Sequence, residues 1–143
     1  MKPTAKSQGK GIFLFNKLPA IQDWADNPEV FLFLMKAETY ICQKYIENPL
    51  LIGGKKFDLR LYVLCTSYRP LTVYLYREGF ARFTHFRYDD SKISNNEIHL
   101  TNVAIQKHTS EYSKNLGGKW MVSKLKHYLC SKYSLDLVNE CFY

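Results

Sequence analysis

The chain has 143 residues, 46% of them hydrophobic and 15% aromatic, which is enough for one ordinary globular core and too little for two independent ones. With 20 Lys plus Arg against 13 Asp plus Glu, the formal charge of +7 favours an anionic partner, and charge alone does not choose among nucleotide phosphate, nucleic acid, an anionic membrane and an acidic protein segment. Cys42, Cys65, Cys130 and Cys141 lie far apart without a CxxC pair or a zinc-ligand spacing, and the apolar run "VFLFLM" is far too short to cross a bilayer, so the composition reads as a soluble, reduced cytosolic protein whose cysteines are small buried hydrophobes.

In chain order, the polar, glycine-bearing "KPTAKSQGKG" leads into "GIFLFNKL", read as a strand, and "AIQDWADNPE" follows as a short helix or irregular connection broken at Pro28. The first half of "EVFLFLMKAETYICQKYIENP" is ambiguous between helix and strand. From Thr39 to Ile46 the β-branched and aromatic content predicts a strand ending at "ENP", and "LLIGGK" is a loop. "GGKKFDLRLYVL" alternates: Phe57, Leu59, Leu61 and Val63 form an apolar row that should hold the strand to the core, and Lys56, Asp58, Arg60 and Tyr62 form a polar row on the other face.

"LTVYLYREGFARFTHFRY" reads as two aromatic strands with a hairpin turn at "REG", "DDSKISNNE" as a loop, "IHLTNVAIQK" as a further extended segment and "HTSEYSKNLGG" as a loop. Trp120 to Tyr133 has helical spacing through Leu125, Tyr128 and Leu129, with Ser123 placed to cap it. The whole predicts an α+β domain on a largely antiparallel sheet with flanking helices. Both ends read as those of a fragment, since the first residues already belong to a glycine-containing loop and "LVNECFY" stops without a cap or polar tail.

The residues that could carry chemistry are spread along this order. Lys2, Lys6 and Lys10 surround Gly9 and Gly11, and glycines let backbone N–H groups approach an anion that lysines neutralise, although neither a Walker A loop nor GxGxxG is present and a solvated turn has the same composition. Gln43 and Lys44 interrupt an apolar strand before an Asn-Pro break, as the rim of a pocket for a flat heterocycle would, or as an amphipathic edge strand would. "HLTN" places polar groups at a strand end, where a turn is the simpler account. The polar row of the alternating strand fits either a cleft face or a wet face with a cross-strand ion pair. Trp24 and Trp120 read as packing anchors, and His85, His108 and His127 as structural or solvent-exposed.

Taken in order with their separations, "KPxxxxQGKGI", "QKYIENPLLIGGKKFDLRLYVL", "YRPLTVYLYREGFARF", "HLTNVAIQK" and "GGKW" closely resemble the tubulin tyrosine ligase-like family, and within it the polyglutamylase type that forms the catalytic subunit of the tubulin polyglutamylase complex. The resemblance covers nearly the whole chain. It implies an ATP-grasp fold, here a partial catalytic domain over residues 1–143, and an ATP- and Mg2+-dependent ligase that adds L-glutamate to side-chain carboxylates of acidic tubulin tails through an acyl-phosphate intermediate. Implied ATP-binding positions are Lys2, Gln8 and Gly9, the adenine hinge Gln43, Lys44, Tyr45 and Ile46, then Lys56, Asp58, Thr101 and Asn102. Arg60, with Lys56 and Asp58, is implied at the reacting phosphates, and Arg82 and Lys119 at the incoming glutamate. Lysine and arginine suit a reaction in which charge accumulates on transferring oxygens, and the planar fork of Arg82 suits a carboxylate.

The family's magnesium ligands come from a later Asp and Glu-x-Asn segment, and its amino-terminal domain precedes the Lys-Pro motif. The expectation is therefore no metal site within this chain and little turnover by these residues alone, which incubation with ATP, magnesium, glutamate and tubulin tests. The resemblance also implies a protein of the cytoplasm and cytoskeleton, at microtubules, cilium or basal body, with non-catalytic complex subunits as further partners and no membrane. Two other readings stay open: a relative that binds tubulin or nucleotide without catalysis, and a basic nucleic-acid-binding domain suggested by the charge and the aromatics of "YLYREGFARFTHFRY".

Overall fold

The computed structural model describes residues 1–27, 39–108 and 118–142. The break read at Pro28, the ambiguous run after it and the greater part of the loop ahead of "GGKW" lie outside the described residues. A short pair, β1 (Lys2–Pro3) against β2 (Tyr40–Ile41), is antiparallel. The strands β3 (Leu51–Ile52), β4 (Lys55–Tyr68), β5 (Leu71–Phe83) and β6 (Lys119–Met121) form one antiparallel sheet in that order. Helix α1 spans Pro19–Ala25, α2 Asn96–His99, α3 Val103–Gln106, α4 Val122–Cys130 and α5 Leu135–Phe142. The α+β class and the antiparallel sheet stand as expected.

The core lies on one face of the proximal sheet. Ile52, Ala81 and Phe83 meet Leu125 and Leu129 of α4 and Val138 of α5, with Phe57, Trp120, Tyr128 and Phe142 packed around them. Val122, Leu125 and Leu129 are the buried residues of α4, a stripe at three- and four-residue spacing that faces the sheet as an amphipathic helix requires. Trp120 packs between Phe83, tilted, and Tyr128, edge-on, at centroid distances of 5.1 and 5.6 Å, and Trp24 contacts Phe13 and Tyr40, so both tryptophans are packing residues.

Several local readings are corrected. "GIFLFNKL" is not a strand, and the strand read from Thr39 to Ile46 is only Tyr40–Ile41. "IHLTNVAIQK" is not extended but contributes to α2 and α3. "REG" is not a hairpin turn. β5 runs straight through it, and the chain reverses earlier at Arg69–Pro70, a cis peptide bond. Leu61 pairs with Gly79 and Val63 with Leu75, so Tyr76, Arg77 and Glu78 all face Tyr62: the segment is a bulge. Its glycine is needed for close approach, since a Cβ at Gly79 would sit 2.5 Å from the Arg60 carbonyl oxygen and 2.9 Å from Leu61 Cδ2.

The bulge directs Glu78 to the start of α4, where its carboxylate accepts hydrogen bonds from the Ser123 N–H at 3.2 Å and the Ser123 hydroxyl at 3.3 Å. Ser123 is therefore not the cap; Met121 holds that position without a side-chain bond, and an acidic group from β5 satisfies the helix end instead.

The apolar row of β4 meets the core only at Phe57. Leu59, Leu61 and Val63 are 38%, 43% and 61% exposed, because β4 and β5 extend beyond the part of the sheet that α4 and α5 cover. All four cysteines are exposed rather than buried. His85 is buried as a structural residue, and His99 is buried with it.

Candidate functional site

The face of the sheet opposite the core carries the charged residues. Strand alternation puts Lys56, Asp58 and Arg60 on that face, and register adds the partners: Asp58 stands opposite Arg82, Arg82 opposite Lys119, and Arg60 opposite Phe80. Arg82 grips Asp58 from the side, its Nε donating to Oδ1 at 3.0 Å and its Nη2 to Oδ2. The hydrogen bond to Asp58 raises the Arg82 pKa above its ordinary value, with burial opposing. Arg60 lies over the Tyr62 ring at 5.4 Å and Lys119 over the Phe80 ring at 5.1 Å, cation–π contacts that leave both cations at the surface.

At the other end of the row Lys56 turns toward Tyr45 and His99, two residues that line a cleft. Its ammonium donates to the Tyr45 hydroxyl at 2.9 Å and to the His99 carbonyl at 3.1 Å, and it lies 4.4 Å from the Tyr45 ring centroid. Burial pushes the Lys56 pKa down, against the attraction of Asp58. Burial, then the neighbouring Tyr88 hydroxyl, raises the pKa of Tyr45. The cleft, about 730 Å³, is lined by Gln43, Lys44 and Tyr45 together with Lys17, Tyr88 and His99, among others. Ile46, the last hinge residue read from sequence, is 72% exposed.

The glycine loop is seated on "HLTN". Gly9 adopts φ +80°, and a Cβ there would lie 2.6 Å from Ile105 Cδ1 and 3.2 Å from Asn102 Oδ1, so only glycine allows this close approach. Gln8 precedes it at φ +63°. The "HLTN" segment is held in turn by the buried Gln106 amide, which donates to the Glu97 and Leu100 carbonyls at 2.7 and 2.6 Å while accepting from the His85 N–H at 2.8 Å. Asn96 Nδ2 donates to the Ile12 carbonyl at 3.3 Å, tying α2 to the same loop. Thr101 and Asn102, both half-buried, follow directly. Lys2 stands on β1 opposite Ile41.

Of the residues read from the sequence, Tyr45 and Lys56 are thus in direct contact, Gly9 and Asn102 are adjacent, and Asp58, Arg82 and Lys119 form one cross-strand row. Asp58 and Arg82, read as binding different ligands, bind each other. Tyr88, Lys92 and the ring of His99 were not read as parts of this arrangement. Their local sequence carries no signal for it, since they meet the hinge only in three dimensions.

The cleft and its adjoining cations suit ATP: a concave site with backbone and apolar walls for a base, and lysines at its edge for phosphate. Among the described residues no group of three or more His, Cys, Asp or Glu side chains could hold a metal ion. No helix among the described residues is long and apolar enough to cross a membrane.

The family model described as "Tubulin-tyrosine ligase family" matches residues 1–141. The Tetrahymena thermophila protein described as "Probable alpha-tubulin polyglutamylase Ttll1" is 50% identical over 147 residues, covering 99% of this chain and 35% of the relative. The Bos taurus "Probable tubulin polyglutamylase TTLL9" is 43% identical over 99% of this chain and 37% of its own length. The Homo sapiens "Tubulin polyglutamylase TTLL5" is 41% identical over 90% of this chain and 10% of its own. The chain spans about a third of the length of the first two of these relatives.

Proposed function

Because the chain belongs to the tubulin-tyrosine ligase family, we propose that it forms the nucleotide and amino-acid face of an ATP-grasp ligase that adds glutamate to side-chain carboxylates of tubulin tails. The observation that carries this reading is the row of cations on one sheet face, Lys56, Arg60, Arg82 and Lys119, which runs to β6 from Lys56, itself bonded to the cleft-lining Tyr45. The identity to polyglutamylases over nearly the whole chain supports the same reading. The setting would be the microtubule cytoskeleton, cilia and basal bodies included, with non-catalytic subunits as further partners.

ATP, when bound, supplies the phosphoryl group that activates an acceptor carboxylate. The chain's own residues divide the rest. Gln43, Lys44, Tyr45 and Ile46 present backbone and side chain to the base. Lys2, Gln8 and Gly9 approach the phosphates over Thr101 and Asn102, and Lys56 and Arg60 place positive charge beside them, where fixed cations stabilise developing charge without reorganising. Arg82 uses Nε and Nη2 on Asp58, which orients the remaining edge of the guanidinium toward a carboxylate of glutamate, with Lys119 alongside.

The test is glutamate incorporation into tubulin by the natural protein that carries this chain. Arg82→Ala should raise the KM for glutamate by roughly tenfold or more, the loss of one charge-assisted contact, while the KM for ATP stays near wild type. Unaltered glutamate use would remove Arg82 from this role. Salt-sensitive binding to single-stranded nucleic acid without affinity for ATP would replace the reading as a whole.

A further inference from the structure

His99 is 2% exposed and sits edge-on between two tyrosine rings, with centroids 5.7 Å from Tyr45 and 5.5 Å from Tyr88. Both ring nitrogens have partners. Nε2 lies 3.1 Å from the Lys92 carbonyl oxygen and Nδ1 lies 2.9 Å from the Tyr45 hydroxyl. A carbonyl only accepts, so Nε2 carries the proton, and in the neutral ring Nδ1 must be the acceptor. The neighbouring Tyr88 hydroxyl donates its own proton to the Glu47 carbonyl at 2.8 Å, so the Tyr45 hydroxyl is the donor that Nδ1 requires, and its lone pairs turn toward the Lys56 ammonium at 2.9 Å. The same histidine also offers its backbone carbonyl to Lys56 at 3.1 Å. Two of the three ammonium hydrogens are thus assigned, and among the described residues no hydrogen bond takes the third.

We propose that His99 is a positioning residue: its Nδ1 sets the direction of the Tyr45 hydroxyl and its carbonyl holds Lys56, so that the hinge and β4 present one preset cation to the nucleotide phosphates. The ligand side of this statement rests on the proposed function; the hydrogen-bond direction does not. Burial holds the imidazole pKa below its ordinary value. Lys56 pushes the same way, against the Lys92 carbonyl, Asp89 and Asp90. The neutral ring that the geometry needs is the form the surroundings favour. Were the ring to protonate, Nδ1 would become a donor, and the Tyr45 oxygen would face donors from both sides.

The network also ties the cleft to the sheet and to the turn beside it. Tyr45 comes from the hinge, Lys56 from β4 and His99 from α2, and the Lys92 carbonyl closes the chain from the short turn of 3-10 helix at Asp90–Lys92. His99 and Tyr45 line the cleft themselves, so a change at His99 should reach both the wall and Lys56, and its effect through Lys56 is the part that depends on phosphate. That separates positioning from a general structural role, because loss of Lys56 alignment weakens ligands that carry phosphate more than those without it.

The experiment uses the natural protein with nitrogen-15-labelled histidine, and calorimetric titration with ATP and with adenosine. Without nucleotide, the His99 resonances should report an Nε2-protonated ring with an accepting Nδ1, and Tyr45→Phe, which keeps the ring packing, should shift Nδ1. Tyr45→Phe, which keeps the ring that lines the cleft, should weaken ATP by roughly threefold to tenfold more than it weakens adenosine, the loss of one hydrogen bond's alignment. His99→Asn, whose amide oxygen offers an acceptor near the Nδ1 position, should keep more ATP affinity than His99→Leu. An Nδ1-protonated ring, or equal losses for ATP and adenosine in Tyr45→Phe, would overturn the proposal. A wild-type protein that binds neither ligand would refute the nucleotide reading, and the positioning of Lys56 would then be decided by the ring tautomer and the Tyr45→Phe shift alone.

Discussion

Replacing Asp58 by Ala removes both oxygens that the Arg82 guanidinium uses, and the size of the effect follows from where the pair sits. The two side chains are directly opposite on neighbouring antiparallel strands, so little additional entropy is lost in bringing them together. The contact is two-pronged and charge-assisted, which in a buried site is worth more than a neutral bond. Its side chains remain 37% exposed for Asp58 and 23% for Arg82, and solvent screening cuts the gain toward the surface range. The coupling should be about 1 kcal/mol. A double-mutant cycle of Asp58→Ala, Arg82→Ala and the double variant, read by urea denaturation, isolates it. Raising the ionic strength to about 1 M should reduce it without abolishing it. A coupling below about 0.3 kcal/mol would refute the account of this row as a preformed pair and leave both groups free for ligands.

Three further outcomes follow from the same geometry. Leu125 is fully buried at 0% exposure, so Leu125→Ala should cost about 2–5 kcal/mol in denaturant unfolding, whereas the same change at Leu64, 61% exposed, should cost well under 1 kcal/mol, roughly the scale of surface substitutions. Gly9→Ala must hold φ +80° and displace Ile105 Cδ1, for about 1–2 kcal/mol, and hydrogen exchange should show the glycine loop and the segment around Asn102 loosening together. For His99 the folded-state pKa is lowered from 6.5, so folding favours the neutral ring; that contribution is complete above the unfolded value and is lost as the pH falls from there through the lowered one. Thermal melts between about pH 7.5 and about pH 5.5 should show a drop in Tm that His99→Asn reduces.

The alternation of "GGKKFDLRLYVL" was enough to separate Phe57 from Lys56, Asp58 and Arg60, because successive side chains of a strand point to opposite faces whatever surrounds them. The helical spacing of Leu125, Tyr128 and Leu129, the family, and the list of cations are legible for the same reason: each depends on residues near in sequence or on the order of motifs. What those cations face is not local. That Asp58 meets Arg82 depends on register, and the register depends on a bulge at Tyr76, Arg77 and Glu78 whose sequence, "REG", looks equally like a hairpin turn. The glycine there serves the approach of Arg60's carbonyl, a neighbour that no window of sequence contains. The same holds for Leu59, Leu61 and Val63, whose pattern is that of a buried row and whose exposure follows from how far α4 and α5 reach along the sheet. His99 is the sharpest case. In sequence it is one polar residue in "HLTN", and only the tertiary structure brings the Tyr45 hydroxyl to one ring nitrogen, the Lys92 carbonyl to the other and the Lys56 ammonium to its backbone, because hydrogen-bond direction is set by partners that are distant along the chain.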